Sequence, residues 1–373
     1  MLVRRISGGR RAGRLACLSI VSACCLLYSC NVSERPRLRH GPAELDHAGL
    51  TVHSLAGQVL SAASELAIPM DIAVAGQYLV VIDLAADSVL HVIRRTTGDL
   101  VGQFGRRGAG PGEFQAAWSM QPVQDDPAKL WIYDIGLRRL TLVDISASLA
   151  AGQLSVIRSL QLSTNGIPTG PLWTDSATAV SLGFFGQGRI GVFDASGEQT
   201  GTYGSLPLDS LEVPPAVQQH AYQTTAALRP SGRLLAAATR HASRIEIYAV
   251  PGTTVAATDG PVHVAPIFTV ASSAGGPSMQ SGADLRFGYV DVTAAEGAVF
   301  ALFSGRTREG FPQRAYLASH VHVFDWSGQF IYALRLDSDV AAIAVDERAS
   351  LLYAVRHEPI PAVMCYRLAD TGA

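Results

Sequence analysis

Tyr78-Leu-Val-Val-Ile-Asp83, then Val89-Leu-His-Val-Ile93, a Thr-Gly-Asp turn and Leu100-Val-Gly-Gln-Phe-Gly105 carry the pattern that decides the fold. Short runs rich in Val, Ile and Leu, parted by Asp, Gly and Ser, are strand and hairpin chemistry. The first run is apolar on successive residues, Leu79-Val-Val-Ile82, rather than on alternate ones. Side chains alternate between the two faces of a strand, so such a run is buried on both.

The pattern recurs along the chain. Leu130-Trp-Ile-Tyr-Asp134 is followed by Arg139-Leu-Thr-Leu-Val-Asp144; further on stand Ile190-Gly-Val-Phe-Asp194-Ala-Ser-Gly197 and Val321-His-Val-Phe-Asp325-Trp-Ser-Gly328. An apolar strand, an aspartate, a two-residue gap and a glycine read as a hairpin whose turn needs those residues. Six units begin near residues 69, 117, 168, 220, 285 and 339, about 54 residues each against the 40–50 usual for a propeller blade. Blades pressed between like neighbours explain double-sided burial, so the predicted fold is all-β, a six-bladed β-propeller of four-stranded antiparallel blades, with seven blades as the alternative. The last unit supplies only three strands, and a spare strand around residues 50–60 is expected to complete it, removing an open sheet edge. The Gly/Ser-rich stretch 271–283 reads as an insertion.

Two stretches resemble known families. Phe104-Gly-Arg-Arg-Gly108-Ala-Gly110-Pro-Gly112-Glu-Phe114 resembles the connector between blades of NHL-type propellers. Phe303-Ser-Gly-Arg306, Val323-Phe-Asp325-Trp326-Ser-Gly328, Leu334-Arg-Leu-Asp337, Ile343-Ala-Val-Asp346-Glu347 and Leu352-Tyr-Ala354 follow one another as in the TolB-like six-bladed propeller lipoproteins. That resemblance, over about residues 50–370, implies the fold and export but carries no activity and no catalytic residues.

Composition agrees: 48% hydrophobic and 16% charged residues support a large core. The N-terminal 29 residues hold Arg4, Arg5, Arg10, Arg11 and Arg14 and no acid, so the remainder is more acidic than the net −2 of the whole chain. Without basic runs, nucleic acid is not an expected partner. Residues 15–29 form an apolar stretch of about 15 residues, too short for a comfortable span and right for a signal-peptide core. It ends in Leu27-Tyr28-Ser29-Cys30, which resembles a lipobox; Val21-Ser22-Ala23-Cys24 is the second match. The expected organisation is a lipoprotein signal peptide over 1–29, a flexible tether over 30–48 with Cys30 lipidated, and the propeller over 49–373. The membrane is then a partner through the lipid anchor, and the cell envelope, at the outer membrane or periplasmic face, is the expected location.

Chemistry is sparsely marked. There is no HExxH, GxSxG or phosphate-binding loop, and the glycine-rich 105–112 segment lacks the lysine and helix that a phosphate cradle needs. Asn31 and Asn165 are the only asparagines, a poor supply for an oxygen-rich cation site, and no cofactor is expected. His320 and His322, two apart on a strand, share a face and would need a third ligand to hold Zn²⁺; a paired surface or inter-blade role is the preferred reading. Lone Cys365 reads as a buried thiol. Trp118, Trp131, Trp173 and Trp326 read as inter-blade packing or a sugar-stacking face.

The connection from second to third strand of each blade opens at the channel mouth. The ends of the second strands carry Asp83 and Asp134 in the first two units and Arg240-His241, Arg306 and Arg356-His357 in the last three. For the aspartates the preferred reading is that they cap their own turns by accepting backbone N–H bonds. Arginine has no turn preference and suits bidentate recognition of carboxylate or phosphate, so an anion-accepting side of the mouth is the candidate binding face. The expected function is a binding or scaffold module for a protein, peptide or glycan. A metal-dependent propeller hydrolase or lyase is the alternative.

Overall fold

The structure is a computed structural model describing residues 42–61, 65–174, 178–186, 188–208, 213–273 and 276–368; Cys24, Cys30 and the expected signal segment lie outside them. The described chain forms six sheets arranged as blades around an axis. Their innermost strands are Pro69–Ala75, Ala117–Pro122, Ile167–Trp173, Thr224–Leu228, Tyr289–Ala294 and Ala342–Asp346. Each packs on the next and the last returns to the first, so the ring is closed.

The double-sided burial read from the sequence has a direct counterpart. Strand Tyr78–Asp83 is buried throughout. Leu79 and Val81 pack with Tyr353, Val355 and Val363 of blade six, whereas Val80 and Ile82 pack with Leu130, Ile132 and Val143 of blade two. The core therefore lies between blades, and each such side chain contributes about 1.5–3 kcal/mol by burial. The Asp-x-Ser-Gly turns also close as their residues require. Oδ1 of Asp194 accepts from the backbone N–H groups of Ser196 and Glu198 and from the Ser196 hydroxyl; Oδ1 of Asp325 does the same with Ser327 and Gln329. Gly197 and Gly328 occupy the left-handed region at φ 89° and 83°.

Closure uses two N-terminal strands rather than one. Gln58–Ser61 pairs antiparallel with Ala362–Arg367 and completes blade six. Val52–Leu55 adds a fifth, parallel strand to blade five beside Phe330–Val340. The chain crosses between the blades at Gly57, whose N–H donates to Asp337 Oδ2 at 2.9 Å; a Cβ there would stand 2.6 Å from the Tyr366 ring. The excess length of the fourth unit includes a hairpin of Thr269–Ser273 and Gly276–Gln280, which starts two residues before the predicted insertion and otherwise lies within it. Residues 42–48, placed by the sequence reading at the end of the tether, lie along blade five. Leu45 N donates to Gly305 O, and Thr307 N to Ala43 O.

Candidate functional site

The aspartates at the second-strand ends are inside the protein. Asp83 accepts backbone hydrogen bonds from Ala67 (2.7 Å), Ile68 (3.1 Å), Ala85 (2.9 Å) and Ala86 (3.1 Å). Asp134 accepts from Gln115 (2.6 Å), Ala116 (3.2 Å) and Leu137 (2.9 Å). Both have no exposed surface. Each carboxylate ties the connector entering its blade to the turn leaving the second strand, which is the turn-capping reading. Burial raises the Asp83 pKa, and its backbone donors outweigh that and hold the group below the ordinary carboxylate value. No acidic rim faces solvent at these two positions.

The basic ends diverge. Arg306 is only 6% exposed. Its Nη1 and Nη2 donate to Asp339 in a fork at 2.7 and 2.9 Å, and its Nε donates to Glu44 Oε1 at 2.9 Å. Its anions are already supplied by the chain. The His357 Nε2–H donates to Pro69 O at 2.7 Å, stitching blade six to blade one. His241 is buried against Phe287, ring centroids 5.1 Å apart, and burial, then the Arg240 charge, pushes its pKa down to about 4. The Arg356 Nε is buried without a partner among the described residues.

Arg240 alone of these reaches the channel. It borders a cavity of about 150 Å³ with Asp71, Asp291, Trp118, Met120 and Tyr316. Its backbone is held by Gln223 and Gly288, but its guanidinium has no hydrogen-bond partner among the described residues. Desolvation lowers its pKa, and the Asp291 charge opposes that. The two carboxyls are built alike. Asp71 accepts from the Ile72 N–H and, across the blade boundary, from Met120 N at 2.8 Å. Asp291 accepts from Ile343 N of blade six at 2.8 Å. Burial raises both, Asp291 to about 6 and Asp71 well above its usual value, with the Asp291 charge adding to the effect on Asp71. The channel thus presents a guanidinium beside two carboxyl groups that burial makes harder to ionise. The sequence reading missed Asp71 and Asp291; the available signal was an aspartate third from the start of two inner strands, followed in both by an aliphatic residue.

Trp131 and Trp173 stack between blades two and three with centroids 5.0 Å apart, and the Trp326 indole N–H donates to Ala295 O. Trp118 is left 38% exposed at the channel. A second, larger cleft of about 850 Å³ lies between residues 44–48 and blades five and six, bordered by Arg306, His320, Arg335 and Glu358. His320 and His322 do share a face, and the third imidazole there is His47. The His47 ring stacks on His320 with centroids 3.7 Å apart and planes 9° from parallel. Parallel rings at that separation share no in-plane point, so in this arrangement one ion cannot lie on a lone-pair axis of both. Among the described residues no group of three or more His, Cys, Asp or Glu could hold a metal ion.

Solved structures agree on the fold. A member of the DUF4221 family from Bacteroides vulgatus is similar with a TM-score of 0.53 and 10% identity, over 87% of this chain and 98% of that one. Raptor from Chaetomium thermophilum is similar with a TM-score of 0.50 and 12% identity, over 84% of this chain and 29% of that one. This chain therefore spans less than a third of that protein. No curated protein sequence matches. The architecture is one typical of protein-interaction and scaffold modules. The sequence profile of the TolB-like 6-blade propeller-like family matches residues 50–348, and the chain belongs to that family.

Proposed function

We propose that this protein is an exported propeller, anchored in the cell envelope by a lipid on Cys30, that binds a protein, peptide or glycan partner at its channel mouth through Arg240. The observation that carries the reading is a channel-facing guanidinium with no hydrogen-bond partner among the described residues, in a cavity that an exposed tryptophan also lines. A guanidinium offers five N–H donors in a planar fork, and a ligand group that accepts from them makes charge-assisted hydrogen bonds. Asp71 and Asp291 border the same cavity, so the partner's inserted group meets two carboxyl groups as well as the guanidinium. Export and anchoring are supported by the arginine-rich N-terminus, the apolar stretch and Leu27-Tyr28-Ser29-Cys30, and envelope placement by membership of a family generally found there.

A photocrosslinking amino acid placed at Trp118 and, separately, at Ile157 on an outer strand tests the binding face in intact cells. A discrete adduct from position 118, absent from position 157 and lost in Arg240→Gln, is expected. Equal adducts from both positions, or one indifferent to Arg240→Gln, would overturn it.

A further inference from the structure

His47 has no role in the fold beyond fastening residues 42–48, and the way it is fastened is unusual. Its Nε2 lies 2.9 Å from Nε2 of His322, and Nδ1 of His322 lies 3.0 Å from the Tyr289 hydroxyl. Two imidazole nitrogens in hydrogen-bond contact need one proton between them: one donates and the other accepts. A second proton would set two N–H donors against each other. The far side of the His47 ring is stacked on His320 and its edge meets Phe303. His322 has no exposed surface and His47 only 8%. Three imidazoles from sequence positions up to 275 residues apart are thus held together in their neutral forms.

The charged surroundings are mixed. From the segment itself Glu44 and Asp46 face the group; from blade five come Arg306, Arg335 and Asp339, with Asp259 beyond Tyr289. The acids favour protonation and the arginines oppose it, but burial is the largest influence on all three rings. His47 and His320 are pushed down to about 4 and His322 well below its usual value. The other fastenings involve no histidine. Arg286 donates to the carbonyls of Pro42, Ala43 and Gly305, Arg306 holds Glu44, and two backbone hydrogen bonds join residues 43 and 45 to blade five.

We infer that residues 42–48 form an acid-released latch, docked on blade five through neutral His47 and freed when the three-histidine contact takes up protons. The sign follows from linkage. A histidine whose docked pKa is lowered contributes fully above its free value of 6.5, and that contribution falls away as pH drops from about 6.5 towards 4. Between pH 7.5 and 5.5 each histidine that regains its ordinary pKa on release weakens docking about tenfold. Release opens one wall of the 850 Å³ cleft, which Glu44, Asp46, His47 and Ala48 border. It also frees seven residues, worth up to about 24 Å of reach between the ring and whatever precedes residue 42. The latch itself does not depend on the lipid anchor.

Hydrogen exchange of the full chain across pH 7.5, 6.5 and 5.5, corrected for intrinsic exchange rates, reads it out locally. Peptides covering 42–48 and 305–307 are expected to lose at least about tenfold of their protection over this range while a peptide covering 79–82 keeps its own. His47→Phe preserves a ring against His320 and cannot titrate, so its pH dependence should be shallower. Unchanged protection of 42–48, an equal loss in 79–82, or the wild-type slope in His47→Phe would each overturn the latch.

Discussion

Asp83 and Asp134 close the second strands of blades one and two, and Arg240 and Arg306 follow the second strands of blades four and five by one and three residues, yet the four side chains have different fates. The short carboxylates turn back on their own backbone and vanish into it. Arg306 finds two carboxylates from elsewhere in the chain. The Arg240 guanidinium ends in the channel with no hydrogen-bond partner among the described residues. Charge at a recurrent position therefore does not identify a binding face; what matters is whether nearby backbone or side chains have already satisfied it. Reach decides much of this, since a carboxylate two bonds from the backbone can collect local N–H groups and a guanidinium cannot.

The contrast can be broken by substitution. Asp83→Ala leaves the N–H groups of Ala67, Ile68, Ala85 and Ala86 without their acceptor, so a loss of about 2–4 kcal/mol in urea unfolding is expected. A loss below about 1 kcal/mol would mean that the carboxylate is not the organiser of that connector. Arg306→Ala should cost less, about 1–2 kcal/mol, because Asp339 and Glu44 are partly exposed and can hydrate once released. It should also loosen residues 42–48, seen as faster exchange there at neutral pH. Arg240→Gln should change stability least, by under about 1 kcal/mol, while abolishing the channel adduct. A large destabilisation would move Arg240 into the structural class with Arg306.

Much of the architecture was legible because one physical cause writes it into every repeat. Blades buried on both faces give runs such as Leu79-Val-Val-Ile82, and unit starts read near 69, 117, 168, 220, 285 and 339 fall within four residues of inner strands starting at 69, 117, 167, 224, 289 and 342. The strand that completes the last blade was also readable, because three strands leave an edge. The parallel Val52–Leu55 strand was not, since nothing in four residues specifies a partner near residue 333. The channel groups were hidden for a related reason: Asp71 and Asp291 look like ordinary polar positions on half-buried strands until the ring brings blades one and five together around one axis. His320 and His322 were visible as a pair, but His47 joins them only through the closure of the chain.

The most direct test of the central claim, that Arg240 is the rim cation left for a partner, is a titration of arginine side-chain NMR signals with acetate as the probe. Signals would be assigned by Arg240→Gln and Arg306→Ala. Movement of the Arg240 Nε–H resonance with Arg306 stationary is the predicted result. Movement of Arg306, or an Arg240 signal that stays fixed up to saturating acetate, would contradict the account.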